Sequence, residues 1–590
     1  MICTHVIQVI IGGGTAGLTV AARLAENSIT TVAVIEAGDF ADIAGNLSTV
    51  PGYGWKVSTP QLDWGFTTTP QASMADRSLI YSRGKAIGGS SVTNLQAYHR
   101  GTVQSFDRWA QVVGDNSFTF KNMLQWYKKS VKYTPPDNVV RAANASIPAL
   151  SPQAYSKSGG PLHVTYSNWA NPASSYGPAA WKELGVSELN DLLSGQLIGN
   201  QYSPANIQPA TQTRDTSQTS FLKYALNSGR NNIKLYKTSL AKRVLFNTSS
   251  KNPTATGVTV RTNEQTYTLH AKKEVIISAG ALQAPQILMV SGVGPKSTLQ
   301  SLGIPVIADR PGVGRNMQDH MFVSLVYQVA TVTESSLSIP ENNDKANSDF
   351  NEKHQGILTN TGADHFGWEK LPSSYLDKLD NSTRAYLASF PSDWPDYELV
   401  IGDLPFTPSG SYSGDYIQGI IMLQSPESRG SISISSNNTS DPPLIDTKTL
   451  TSAKDRAILV QAFHRVREFF ETKSMKSVII GNEVVPGNGT ETDEQILSYL
   501  EQNGGPGFHA ACTCSMGKTS DPNAVVDTQG RVIGVKNLRV VDASVFPLLP
   551  PGHLVSTVCK FSQSIVDQLV RFPAKSSFSP LRRCGGEARK

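Results

Sequence analysis

The run Val6 to Gly38, VIQVIIGGGTAGLTVAARLAENSITTVAVIEAG, constrains the fold more than any other stretch of the chain. An apolar segment, Val6 to Ile11, stops at Gly12, Gly13 and Gly14, and a segment of helix-forming composition follows from Leu18 to Ala25. This reads as strand, glycine turn and helix. Gly12 permits the tight turn, Gly14 lets backbone approach a pyrophosphate, and Gly17 lets the helix lie close to the strand. With Thr15 and Ala16 they form the candidate phosphate crest, faced by the amide end of the helix. A second apolar strand, Thr31 to Ile35, ends in Glu36 and Ala37, about 20 residues beyond the crest, where a carboxylate suits ribose hydroxyls. An acid there repels a 2′-phosphate and disfavours NADP. The motif by itself leaves NAD and FAD both open.

At 590 residues the chain is long enough for two large domains. Its net charge of +5 is small for that length and no Lys/Arg-rich run stands out, so nucleic acid is not an expected partner. No apolar run is long enough to span a bilayer. Met1 stands five residues before the first strand with no leader pattern, which reads as a cytoplasmic protein. A secreted protein whose first exon is truncated gives the same reading. Asn46, Asn144, Asn247, Asn381, Asn437, Asn438 and Asn488 fit N-x-Ser/Thr, but a chain this rich in Asn, Ser and Thr yields about five such sites by chance. Cys3, Cys512, Cys514, Cys559 and Cys584 are too scattered for a disulfide framework, and Cys512 with Cys514 makes a single CxC without a second ligand pair. Buried packing is expected for that pair and no metal site is assigned.

A second glycine cluster, YSRGKAIGGSSVTNLQAYHRG from Tyr81 to Gly101, offers backbone amides and hydroxyls at Gly84, Gly88, Gly89 and Ser90. This block resembles the first signature of the glucose-methanol-choline oxidoreductases, FAD enzymes that oxidise alcohols. SAGALQAPQILMVSGVGP (Ser278 to Pro295) is similar to their second signature, and GFHAACTCSMG (Gly507 to Gly517) to the segment with their active-site histidine. VVDTQGRVIGVKNLRVVDASVFPLLPPGHLVSTV (Val525 to Val558) resembles their C-terminal block. The likeness runs from about Val9 to Val570, is weaker between Asp344 and Leu423, and has the style of fungal aryl-alcohol oxidases and secondary-metabolism dehydrogenases.

The resemblance implies FAD as cofactor. It places Asn94, Leu95, Gln96 and Ala97, backbone near Ala241, and Asp542, Ala543, Leu554 and Val555 around it. Thr93 stands where some relatives carry a histidine bonded to the flavin, so non-covalent FAD is expected. His509 is implied as the base that takes the alcohol proton while flavin N5 takes the hydride, and His553 as the neighbour that hydrogen-bonds the substrate oxygen. The remaining histidines, His99 and His320 among them, read as structural. Two departures stand out: Cys512 replaces a glycine, and Gln8 falls inside the first apolar strand.

The expected architecture is α/β plus α+β. A discontinuous Rossmann-like FAD-binding region spans 1–320, with a lid at about 50–70 and a substrate-side segment at about 150–225. An antiparallel-sheet substrate domain covers 321–504, a returning segment with both histidines covers 505–572, and a tail covers 573–590. Within this frame Trp109 to Lys132 reads as one helix and Ile233 to Phe246 with Gly257 to Leu269 as a hairpin-like pair. Ser335 to Lys353 and Thr407 to Asp415 read as loops, and Ala453 to Glu471 as a helix. Phe508, Phe546 and the aromatic lid suit an aromatic or apolar alcohol, with oxygen or a quinone as electron acceptor. A lyase or cyclase without net redox chemistry is the alternative function.

Overall fold

Gln265–Ile277 is the strand on which two kinds of sheet meet. Its second half pairs in parallel with His5–Ile11, which pairs in parallel with Val32–Ile35, and that strand with Ile233–Tyr236. Its first half pairs antiparallel with Thr254–Thr262, which returns against Ser239–Asn247. The computed structural model describes residues 5–571 apart from 146, 148, 149, 157 and 404–413. Val9, Ile10, Val32, Ala33, Val34, Val275 and Ile276 are fully buried, as the continuous apolar runs of a parallel sheet covered on both faces require.

The C-terminal segment closes this sheet. Leu538–Val540 pairs in parallel with Val275 to Ile277, and Arg539 makes a largely buried two-point ion pair with Glu274 at 2.9 and 3.0 Å. The helix Val555–Arg571 packs against Thr15–Leu24, the helix of the first glycine turn. The Rossmann-like fold is therefore discontinuous, with strands more than 200 residues apart in one sheet.

The second large sheet is antiparallel. Its strands run in the order Ile479–Val485, Met321–Val329, Tyr416–Leu423, Tyr397–Gly402, Ala363–Glu369 and Gly199–Tyr202. Alternation decides the use of its two faces. Leu399, Ile401, Ile417, Ile421, Val323 and Leu325 pack with Ile458, Leu459, Phe463 and Phe469 of the helix Ala453–Phe470. The opposite face carries Phe366, Trp368 and Val400, which cluster with Ala97 of the second glycine segment. Glu398 pairs across with Trp368 and so shares that inner face. Among the described residues no helix is long and apolar enough to cross a membrane.

Several local expectations are corrected. The helix expected from Trp109 to Lys132 is two, Val103–Val113 and Phe120–Ser130, because Gly114 takes a left-handed φ of 70° and ends the first. The expected hairpin pair is a three-stranded meander, and Ile233–Tyr236 belongs to the far edge of the parallel sheet. The polar stretch Ser335 to Lys353 holds the helix Pro340–Lys353, which starts on a proline and buries only Ala346 and Phe350. A two-residue apolar stripe is too narrow to show as a period. Thr407 to Asp415 lies almost wholly outside the described residues.

Candidate active site

The two glycine clusters interlock. A Cβ on Gly89 would stand 2.7 Å from the Cα of Gly14, and one on Gly84 2.3 Å from the carbonyl oxygen of Gly89. The Gly88 N–H donates to the Gly13 carbonyl at 2.8 Å. A Cβ on Gly12 would lie 2.3 Å from the Ser278 oxygen and one on Gly17 1.9 Å from the Gly12 oxygen. The helix that follows has no side-chain cap at Gly14, so its first amides are available to an anion. Gly12, Gly14 and Thr15 are partly exposed, whereas Ala16 and Gly17 are buried.

Glu36 sits at the end of this crest. Its carboxylate accepts the Gly13 N–H and the Gly38 N–H, each at 2.8 Å, and each oxygen keeps capacity for a hydroxyl donor. Burial pushes its pKa up to about 6 against the pull of those amides. Ala37 adjoins it, partly exposed. The crest, the uncapped helix and the buried acceptor together fit the pyrophosphate and ribose of a dinucleotide such as FAD.

His509 and His553 come together with ring centroids 4.8 Å apart. Residues 505–506 add a short strand beside Met321, and the chain then turns through Phe508 at a φ of 61° to reach His509. The His509 N–H donates to Asp319 Oδ1 at 2.7 Å, and its ring Nδ1 lies 2.9 Å from His320 Nδ1. Asp319 also accepts from the Tyr81 hydroxyl, and Arg83 donates to the Phe508 carbonyl at 2.6 Å. His553 follows the Pro550–Pro551–Gly552 turn and precedes the helix Val555–Arg571, with Leu554 and Val555 at its start. Its N–H donates to His99 Nε2 at 2.7 Å, and its own Nε2 lies 2.9 Å from Glu398 Oε1. Gln424 ties this end together: its amide nitrogen donates to Glu398 Oε2 at 2.8 Å and its oxygen accepts the Gly552 N–H at 2.7 Å.

The electrostatics of the two histidines differ. Burial drives the His509 pKa well below the usual imidazole range, and the neighbouring His553 and His320 push the same way. His509 is thus a neutral imidazole with a lone pair to offer. His99, fully buried, is held neutral by burial and then by His553. Because its Nε2 accepts from His553, its proton is on Nδ1. His553 instead faces the carboxylate of Glu398, which is 0% exposed.

The other expected residues are held by contacts of their own, away from the histidine pair. Ser90 accepts the Gly84 N–H at 3.2 Å. Asn94 accepts the Gln96 N–H at 3.2 Å and an Arg214 N–H at 3.1 Å, with Leu95 beside them. Gln96 has a left-handed φ of 64°, and Ala97 joins the aromatic cluster on the inner sheet face. Ala241 lies in the antiparallel meander, its carbonyl accepting from Thr439 at 2.8 Å. Asp542 is pinned between the amides of Ser544 at 2.8 Å and Gly280 at 2.9 Å, with Ala543 next in chain.

Phe546 does not belong to the substrate side: it is fully buried between Trp109 and Phe561. Phe508 does remain open, 37% exposed and edge-on to Tyr81 at 5.5 Å. Cys512 and Cys514 are both buried, and Cys512 holds a left-handed φ of 71°. Sequence reasoning missed Asp319, His320, His99, Glu398 and Gln424. His99 was within a matching block and could have been found there. Glu398 sits where the likeness is weakest, and nothing local marks it.

Comparison with known proteins agrees with this geometry. Residues 6–322 match one family model and 426–561 another, both described as GMC oxidoreductase. Patulin synthase of Aspergillus clavatus is 43% identical over 573 residues, 94% of this chain and 90% of that protein. A fungal aryl-alcohol oxidase superposes with a TM-score of 0.82 at 25% identity, over 96% of this chain and 99% of that one. A formate oxidase of Aspergillus oryzae, solved to follow the effect of a mutation on FAD modification, superposes with a TM-score of 0.85 at 25% identity, over 97% and 99%.

That last structure corrects the expectation of a simple, non-covalently bound FAD. In that formate oxidase the FAD is modified and a mutation bears on the modification, so the residue at Thr93 does not by itself fix the state of the cofactor. Two family models that together cover most of the sequence, and a relative 43% identical across nearly its whole length, place this chain in the GMC oxidoreductase family, as an FAD-dependent enzyme acting on CH–OH groups.

Proposed function

We propose that the protein oxidises an apolar or aromatic alcohol of fungal secondary metabolism to the aldehyde or ketone, with His509 as the proton acceptor. The single observation that carries this reading is the pairing of His509 and His553, rings 4.8 Å apart, against the inner sheet face. FAD would rest on Gly12, Gly14, Thr15, Ala16 and Gly17, with Glu36 and Ala37 at its ribose, and with Gly84, Gly88, Gly89, Ser90, Asn94 to Ala97, Ala241, Asp542, Ala543, Leu554 and Val555 along the rest. When bound, FAD supplies the hydride acceptor.

The chain's own groups handle the proton and the substrate. His509 is neutral, so it can accept the hydroxyl proton, and His553 donates or accepts a hydrogen bond at the same oxygen. Phe366 lies 5.5 Å from His553 and is stacked on Trp368 at 5.6 Å, forming an aromatic wall beside the carbinol position. Phe508 and Tyr81 form a second apolar edge next to His509. Both favour a flat apolar substrate over a free sugar, in keeping with the names of the patulin and aryl-alcohol relatives.

Anaerobic mixing of the FAD-loaded protein with aromatic primary and secondary alcohols tests the reading. His509→Ala should slow loss of the flavin absorbance by about 10² to 10⁴, the usual worth of a positioned base, and His553→Asn by less. A second reading rests on the Glu398 contact: a carboxylate on Nε2 leaves His553 Nδ1 as a supported proton acceptor. The reverse order of the two variants would establish it.

A further inference from the structure

His320 is 0% exposed, and its Nε2 has no hydrogen-bond partner among the described residues. Among the described residues its ring nitrogens meet His509 alone, Nδ1 to Nδ1 at 2.9 Å, with the two rings nearly perpendicular at 89°. Asp319, the preceding residue, holds the backbone N–H of the same histidine at 2.7 Å. Two consecutive residues therefore grip His509 at its amide and at its ring. Buried polar atoms are nearly always paired, so an imidazole kept in the core with one nitrogen unpaired calls for an explanation.

A contact between two ring nitrogens needs one proton and one lone pair. If His320 donates, His509 carries its proton on Nε2 and has no lone pair there for an alcohol. If His509 donates, its Nε2 is bare. We infer that His320 is a positioning residue that sets the tautomer of His509: its Nδ1 accepts the His509 Nδ1–H, its own proton stays on the unpaired Nε2, and His509 Nε2 is left as the free lone pair. This rests on the reading of His509 as proton acceptor. In the step it serves, the alcohol O–H bond breaks and an Nε2–H bond forms, while the Nδ1–H stays on His509 and remains hydrogen-bonded to neutral His320. Fold packing supplies the asymmetry between the two active-site histidines: His553 leans on a carboxylate and His509 on an imidazole. The titratable and charged groups facing His509 are His553, His320, Arg83 and His99, with Asp319 at its amide and Tyr81 behind Asp319.

The test compares His320→Asn with His320→Leu in the FAD-loaded full chain, using 4-methoxybenzyl alcohol in anaerobic flavin reduction. Asparagine keeps an acceptor oxygen where Nδ1 stood, whereas leucine fills the volume without one. The inference expects His320→Leu to lose about 10²-fold in reduction rate at unchanged KM and His320→Asn to stay within about tenfold of the parent. A packing role predicts the opposite order, because leucine preserves the buried volume better. Reduction by His320→Leu at the parent rate while His509→Ala is impaired would overturn the inference and leave His509 as base. An unimpaired His509→Ala would overturn the base reading instead. Imidazole-15N spectra of the holoprotein with His320 intact give an answer independent of the folding of the His320 variants. The resonance lost in His509→Ala should be that of a ring protonated on Nδ1, and one protonated on Nε2 would refute the assignment.

Discussion

His553 Nε2 lies 2.9 Å from Glu398 Oε1, across 155 residues of sequence. The histidine comes from the turn that leads into the last helix of the nucleotide fold, and the glutamate from the middle of the antiparallel sheet. The contact joins the two sheets at the point where chemistry is proposed. Because Gln424 holds both Glu398 and the amide of Gly552, the turn and the carboxylate move as one unit.

Removing that carboxylate should cost stability as well as order. Glu398→Leu removes the acceptor beside the part-buried His553 Nε2 and leaves the buried Gln424 amide only a 3.5 Å contact to the Met422 carbonyl, and each buried group that loses its partner costs about 1 to 3 kcal/mol. A loss of about 2 to 5 kcal/mol is expected, read as a lower urea midpoint at unchanged slope. An unchanged midpoint would show that the pair contributes nothing to stability.

Glu36 predicts a pH dependence of flavin affinity. Burial raises its pKa from 4.5 to about 6, so the apoprotein holds the carboxyl neutral below about pH 6 and ionised above it. The stability this contributes is fully present below about 4.5 and is lost as pH rises through about 6, a change of about 2 kcal/mol. Ribose hydroxyls are better accepted by the carboxylate, so FAD should bind the apoprotein more tightly at pH 7.5 than at pH 5. Equilibrium dialysis of Glu36→Gln should show that difference flattened.

Cys512 occupies a left-handed backbone conformation at φ 71° with no exposed surface. Glycine relieves about 1 to 2 kcal/mol of steric cost but removes a buried side chain worth a similar amount. Cys512→Gly should therefore lie within about 1 kcal/mol of the parent. Cys512→Val, branched at Cβ in the same conformation, should lose more than about 2 kcal/mol. Thermal unfolding of the two variants side by side checks the balance.

A chain ended before Asn537 keeps the whole first glycine turn but loses Leu538–Val540, the Ser278 hydroxyl bond to the Val541 carbonyl at 2.9 Å and the helix against Thr15–Leu24. Such a fragment should be insoluble and bind no FAD. A soluble fragment that takes up flavin would show that the N-terminal part folds on its own.

The strand, glycine turn, helix and acid of Val6 to Gly38 were legible because their signal is local: a turn that only glycine can make, flanked by two apolar runs. His509 and His553 were legible only through the blocks that contain them. The two-sheet architecture was expected from the apolar strands and the helix Ala453 to Glu471 in the second half of the chain, set beside the resemblance. Tertiary structure alone decided the rest. Phe546 went to the core and Phe508 to the open side, although both are phenylalanines beside matching motifs. Glu398 faces His553 because alternation across the Tyr397–Gly402 strand turns it toward the inner face, and its pairing with Trp368 sets which residues stand beside it. His320 meets His509 because a two-residue pairing at Met321 and Phe322 draws Gly505 and Pro506 alongside. A one-residue slip in either register would turn those side chains to the other face, and no local pattern in the sequence encodes which register forms.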